Sequence, residues 1–138
     1  MVKRLLLLLP FGLFLTSPCF ADAARDAILN RLAAEAKQAD PAFTSFSAER
    51  GRQFWQAQHA GGRPETPSCT SCHTTDPMAV GETRAGKSIA PMAVSRTPER
   101  FTDAAKVAKW FDRNCHTVLG RACTAIEEGD IITYLSAQ

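Results

Sequence analysis

Two cysteines and a histidine fall within one short run, Cys69-Thr70-Ser71-Cys72-His73. At this spacing both thiols lie on one helical turn, placed to add across the two vinyl groups of a haem. The adjacent imidazole of His73 then faces the iron as the proximal ligand. Other chemistries fit the residues less well. A thioredoxin-like redox pair needs a βαβ setting, and the flanking sequence shows none. A zinc site needs a second close pair of ligands, and Cys115-His116 is a poor one. A plain disulfide between Cys69 and Cys72 leaves His73 without a role. The reading is therefore one covalently attached haem c, held by Cys69 and Cys72.

The sixth iron position, opposite His73, decides what such a haem does. The visible candidates are His59, Met78, Met92, Asn114 and His116. Met78 follows His73 too closely to pass around the haem edge. His59 precedes the motif and reads as a surface histidine at a helix end. Met92 follows Ala90-Pro91 and has enough chain to reach the far side; it fits equally well as an adaptable residue lining the pocket. Asn114 and His116 come late enough to close over the far face. They fall in a stretch, residues 114–123, that reads as a loop. Two residues apart in an extended loop they can share a face, so spacing leaves both open.

The chain that must position these groups is short. Its first 21 residues, MVKRLLLLLPFGLFLTSPCFA, have a basic start at Lys3 and Arg4 and an apolar run from Leu5 to Leu15. Small residues then allow a cut after Ala21 or Ala23, so this is a secretory leader and implies a periplasmic protein. The run is too short to span a bilayer, and Pro10 and Gly12 interrupt it, so no membrane span is expected in the mature chain. A lipoprotein cleavage before Cys19 fits badly because Pro18 precedes it. Covalent haem attachment requires export, which the leader supplies.

Without the leader, 14 basic residues face 14 acidic ones and the net charge is zero. No basic face is visible, which excludes a nucleic-acid binder. Leu, Ile, Val and Phe together make up only 18 of the remaining 117 residues. That share is below the roughly 20% of ordinary globular chains. Balanced charge argues against disorder. A small chain with a thin core usually carries a staple or a cofactor, and a porphyrin would supply the missing apolar mass.

The positioning elements are helical. Asp22 to Asp40 is Ala-rich, with Ala24, Ile28 and Leu32 at four-residue spacing, and is stopped by Asp40-Pro41. Its modest apolar face suggests an extension laid on the domain surface. A second helix runs from Ala48 to His59 with Ser47 as N-cap. Gly51 in its middle weakens it by up to about 1 kcal/mol relative to Ala, which points to a close approach by another backbone. Ala60 to Ser68 is a Gly/Pro loop, and Thr74 to Arg96 is a long stretch without period. Thr97 to Phe101 reads as one short turn. Thr102 caps a third helix from Asp103 to about Arg113, in which Trp110 and Phe111 are expected to pack the core. Thr124-Ala125-Ile126-Glu127 is a capping box that opens a last helix to about Ala137. No hairpin is evident, and the class is all-α. The domains are a leader (1–21), a helical extension (22–46) and a haem domain (47–138).

Cys115 and Cys123 are left over, and in an oxidising compartment two spare cysteines usually pair. A ring of that size is worth roughly 2.5 kcal/mol on the loop-entropy model.

From Glu49 onward the chain closely resembles the sphaeroides haem protein (SHP) family of class I c-type cytochromes. The matching stretches are Glu49-Arg50-Gly51-Arg52, Thr66 to His73, Thr83 to Pro91, Thr97 to Asp103, Arg113-Asn114-Cys115 and Gly120 to Thr124. The resemblance implies the class I cytochrome c fold with an extra N-terminal helix. It implies Asn114 as the sixth ligand of the ferric haem and a Cys115–Cys123 disulfide. It further implies that reduction releases Asn114 and opens the position to a diatomic ligand, oxygen or nitric oxide. A dihaem cytochrome c is the implied electron donor. One position departs from the family pattern: where another Asn often follows the Asn-Cys pair, this chain has His116. If His116 were the ligand, or Met92, the protein would be a plain electron carrier with a stable sixth ligand; a small-oxidant reductase is the other alternative. An amide oxygen is a hard, neutral, weak ligand that suits ferric iron better than ferrous. Arg84 and Lys87 are the candidate partners of the haem propionates. The Pro91 carbonyl is the expected acceptor for the second ring nitrogen of His73.

Overall fold

The computed structural model describes residues 20–138. The expected leader, residues 1–21, lies almost wholly outside them. Gly51 explains the central feature of the fold. It sits in α2 (Ala48–Gln56), which crosses α5 (Ala125–Ser136) so closely that a β-carbon at position 51 would lie 2.0 Å from the Asp130 carbonyl oxygen. The same β-carbon would lie 2.9 Å from Cβ of Tyr134. Only hydrogen fits between the two backbones. The crossing is locked beside Gly51 by Asp130, which is buried. Its carboxylate accepts from the Ser47 amide (2.7 Å) and from Arg50 Nε (2.7 Å) and Nη2 (2.8 Å).

The helix ends follow their local chemistry. Ser47 Oγ accepts from the Arg50 amide and caps α2. Thr124 and Glu127 form the expected reciprocal capping box of α5. The helix α4 (Ala104–Leu119) begins at Asp103, whose carboxylate caps the Lys106 amide, one residue later than expected. It also runs six residues longer than its sequence pattern indicated, and stops only where Gly120 turns left-handed at φ +71°. Residues 114–119 are thus helix, not loop.

The helix α1 (Phe20–Ala39) does more than lie on the surface. Ile28, Leu32 and Ala36 are exposed by 4%, 1% and 1%. Ile28 and Leu32 form one core cluster with Val107 of α4 and Ile132 of α5. A second cluster joins Trp55, Ile131, Tyr134 and Leu135. A third gathers Cys115, Val118 and Leu119 at the end of α4. A single short turn, α3 (Thr70–His73), carries the Cys-x-x-Cys-His run. The long stretch after it holds a small antiparallel pair, β1 (Gly81–Glu82) and β2 (Ser88–Ile89), which the sequence pattern had not suggested. Two-residue strands have no room for a period-2 signal. The class is nonetheless all-α.

On α5, Glu128 faces Arg31, Glu35 and Glu127, and its carboxyl is pushed up to about 7. Burial is the main cause, with Glu35 and Glu127 adding to it and Arg31 opposing. A carboxyl whose folded pKa lies above its ordinary 4.5 binds its proton more tightly in the folded state. The stability that Glu128 contributes is therefore fully present below pH 4.5 and is lost as the pH rises through about 7. Glu128→Gln is expected to stabilise the protein by roughly 1–2 kcal/mol at pH 8, after allowance for partial exposure. The gain should vanish at pH 4. Urea unfolding of both proteins across this range checks it; a gain independent of pH would show that Glu128 is not the group concerned.

Candidate functional site

The motif is held by groups on either side of it. Ser68 is buried at 2% exposure. Its hydroxyl donates to the Trp55 carbonyl (3.1 Å) and accepts from the amide (3.3 Å) and hydroxyl (2.9 Å) of Thr70. The start of α3 is thereby tied to α2. Trp55 closes the other end: its indole Nε1 donates to the Thr74 carbonyl (3.2 Å), at a residue with φ +62° that ends the turn. The indole ring also stands 5.3 Å from the His73 ring. Behind the motif, Gly81 of β1 lies so close that a β-carbon there would meet the Cys72 carbonyl oxygen at 2.3 Å. Neither Ser68 nor Trp55 was singled out from sequence. A serine immediately before a helical turn is the readable signal for the first; the second needs the tertiary contact.

The chemistry of the three motif residues suits a covalent haem. Cys69 and Cys72 are unpaired, whereas Cys115 and Cys123 lie at disulfide distance from each other. Burial pushes the Cys69 thiol up to about 11, and Cys72 adds to this. Burial also holds His73 down to about 4, with the positive charge of Arg100 contributing. The imidazole is thus neutral, with a lone pair free for a metal. Its Nδ1 is buried and has no hydrogen-bond partner. Among the described residues no three His, Cys, Asp or Glu side chains converge, so a zinc ion has no ligand set here. Two free thiols on one turn beside a neutral, unpartnered imidazole fit a haem.

The Pro91 carbonyl does not take the role expected of it. It accepts instead from Thr97 Oγ1 (2.9 Å) and Arg100 Nε (3.1 Å), and His73 makes no bond to it. Arg84 pairs with Glu65 at 3.4 Å, both half-exposed, and lines an open cleft with Thr70, Cys72, Thr74 and Val80. Lys87 is exposed at the far end of the same hairpin, its amide donating to Thr83 Oγ1 (3.0 Å).

The helical course of residues 114–119 separates the two late candidates. Val107, Phe111, Cys115 and Val118 make the inward stripe of α4. At about 100° per residue, Asn114 lies about 60° from Phe111, on the edge of that stripe. His116 lies about 200° round from Asn114, on the opposite side. There its Nδ1 approaches the Asp112 carbonyl oxygen (2.8 Å) and carboxylate (3.3 Å). The two residues do not share a face. Cys115, joined to Cys123, is the residue next to Asn114 and ties this part of α4 to the start of α5. Met92 packs against the cluster of Trp55, Ile131, Tyr134 and Leu135, together with Cys69. Met78 is exposed, its sulfur 3.4 Å from Ser95 Oγ. His59 packs on Phe54, and its Nε2 lies 3.0 Å from the Phe54 carbonyl oxygen. Phe111 packs inward as expected. Trp110, expected in the core, is instead 49% exposed and flanked by Lys109 and Arg113. One residue along the helix turns it about 100° away from Phe111.

Known proteins agree with this geometry. Residues 41–135 match a family described as a domain of unknown function, DUF1924. Cytochrome c-type protein SHP of Cereibacter sphaeroides is 54% identical over 91 residues, which is 66% of this chain and 70% of that protein. A solved structure of oxidized SHP, an oxygen binding cytochrome c, superposes with a TM-score of 0.76 at 45% identity, covering 83% of this chain and 96% of that one. Cytochrome c'' of Methylophilus methylotrophus is 30% identical over 127 residues, 91% of this chain and 88% of that protein. Its solution structure, which addresses the basis of haem-ligand detachment, gives a TM-score of 0.71 at 29% identity and covers 84% of this chain and 94% of that one. The relatedness spans the haem motif, the helices around it and the late cysteine pair. The chain belongs to the SHP family of c-type cytochromes and carries a single covalently attached haem c.

Proposed function

We propose that this cytochrome is a periplasmic one-electron carrier whose sixth position is held by Asn114 in the oxidised state and released on reduction, so that a diatomic ligand such as oxygen or nitric oxide can bind. The observation that carries this reading is the place of Asn114 on α4: beside the inward stripe, next to Cys115, and turned about 200° away from His116. When attached, the haem supplies a one-electron couple and an iron with an exchangeable sixth position. The chain supplies the rest. Cys69 and Cys72 hold the ring covalently, and His73 presents a neutral imidazole. Asn114 offers a neutral oxygen, weak enough to leave softer ferrous iron. The Cys115–Cys123 link keeps the backbone beside Asn114 in place while its side chain moves. Oxygen binding by SHP and haem-ligand detachment in cytochrome c'' support the same chemistry here.

In this reading residues 1–21 are the leader, and residues 22–46, which carry most of α1, are a helical extension packed on the haem domain at 47–138. Arg84 and Lys87, on the hairpin behind the motif, are the proposed partners of the haem propionates. A dihaem cytochrome c is the proposed donor. No helix among the described residues is long and apolar enough to cross a membrane.

Asn114→Leu is the direct test. Leucine offers no ligand atom, so the ferric spectrum should change to that of a five-coordinate or water-ligated haem, while the reduced protein still takes carbon monoxide. An unchanged ferric spectrum would refute the assignment. A reduced wild-type protein that is low-spin and blind to carbon monoxide would instead mark a plain carrier. Sustained consumption of an oxidant in the presence of a donor would mark an enzyme.

A further inference from the structure

Two arginines connect the N-terminal helix to the segment at Ala90-Pro91. Arg25 of α1 is buried, with only 5% exposed. Its Nη1 donates to Asp22 (2.8 Å), its Nη2 to the carbonyls of Pro98 (2.7 Å) and Arg100 (3.1 Å), and its Nε to that of Arg100 (3.2 Å). A guanidinium with every nitrogen engaged is a costly thing to place in a core unless it holds something. What it holds is the turn at residues 97–101, which ends with Phe101 at φ +61°, an uncommon conformation for a bulky residue. Phe101 packs against the same cluster as Ile28 and Leu32 of α1. The turn is pinned by α1 twice, through Arg25 and through Phe101.

The side chain presented by this turn is Arg100. It is half-buried; its Nε donates to the Pro91 carbonyl (3.1 Å) and its Nη2 to the Ala90 carbonyl (2.6 Å). Met92, the next residue, packs with Trp55 and Cys69, and the Trp55 ring faces the His73 ring. These contacts place a fixed, partly desolvated positive charge beside Met92, which packs on the same cluster as Cys69. We propose that Arg100, positioned by Arg25, is a tuning residue that raises the reduction potential of the haem.

The physical basis is electrostatic. Reduction adds one electron from the donor and lowers the positive charge of the iron site by one. A cation held nearby and partly shielded from water favours the less positive state. Arginine stays charged at any working pH, so the bias is permanent. This inference rests on the haem and not on the identity of the sixth ligand.

Spectroelectrochemical titration of the haem-loaded protein tests it, with Arg100→Met, Arg100→Gln, Arg100→Lys and Arg25→Met. At a fixed applied potential, Arg100→Met should lower the ratio of reduced to oxidised haem at least tenfold, equivalent to 59 mV for one electron. Arg100→Gln, whose amide still donates to a carbonyl, should fall as far, and carries the test if the Met variant does not accumulate with haem. Arg100→Lys should fall less than threefold. Arg25→Met, in which Arg100 remains but its turn is loosened, should lie between. A ratio within threefold of wild type in the neutral Arg100 variants would overturn the proposal. So would a lysine variant that falls as far as glutamine, since geometry and not charge would then be at work. The ferric spectrum of each variant reports the sixth ligand separately, so failure of the Asn114 reading and failure of this one are distinguishable.

Discussion

Protein in which Cys69 and Cys72 are both replaced by alanine is expected to lack covalent haem and a stable fold. The haem-stained band on a denaturing gel should disappear, and the far-ultraviolet dichroism should show loss of most of the helix. The reason is the thin core. Leu, Ile, Val and Phe contribute 18 of the 117 residues from 22 to 138, and the described core divides into three small clusters. A group that binds only the folded chain stabilises it by mass action, and a covalent one acts at very high effective concentration. Single variants separate the roles. Cys69→Ala and Cys72→Ala each leave one thioether and should retain part of the haem stain. Colourless double-mutant protein that still melts cooperatively near the wild-type temperature would show that the chain builds its core without the porphyrin.

Gly51→Leu is the second variant with a large expected effect, and its sign is informative even for the smallest side chain. By helix propensity alone, Gly51→Ala in an exposed helix would stabilise by about 1 kcal/mol. Here a β-carbon meets a backbone oxygen at 2.0 Å, and backbone cannot rotate aside. The crossing of α2 and α5 must open. Opening it also pulls Asp130 from Ser47 and Arg50, leaving a buried carboxylate short of partners. Gly51→Ala should therefore destabilise by about 2–3 kcal/mol, and Gly51→Leu by more than about 4 kcal/mol. Chemical denaturation of the haem-loaded variants, followed by dichroism, measures both. A stabilised alanine variant would mean that the two helices leave room for a methyl group at their crossing.

Gly51 also shows how a tertiary contact becomes legible in a sequence. A glycine inside a helix is a local cost that only a long-range contact offsets, so its presence announces the contact. The Cys-x-x-Cys-His run is legible for a similar reason: its meaning lies in spacing along one turn, which the helix repeat sets without help from the rest of the fold. The capping box at Thr124 and Glu127 and the N-cap at Ser47 are equally local. Each is a hydrogen bond between residues three apart, and each appears where the sequence places it.

Other features depended on partners far along the chain. Residues 114–119 looked like a loop because the apolar stripe of α4 fades and a cysteine pair follows. The helix continues because Cys115, Val118 and Leu119 bury against Phe54, Phe111 and Cys123. That continuation sets Asn114 and His116 on opposite sides, which spacing in an extended loop had left open. The surface role expected of α1 failed for a related reason. Its stripe of Ile28, Leu32 and Ala36 is short, but Ile28 and Leu32 meet Val107 and Ile132, residues 75 or more positions away, and the stripe is buried. The bonds from Arg25 to Pro98 and Arg100 cross 73 and 75 positions and leave no local mark. Taken alone, the order of residues determined the cofactor and the helical class, because these rest on interactions within a turn or two of chain. The faces of the late helix, the burial of the first and the placing of Arg100 were decided only in three dimensions, because each depends on which distant surface a side chain meets.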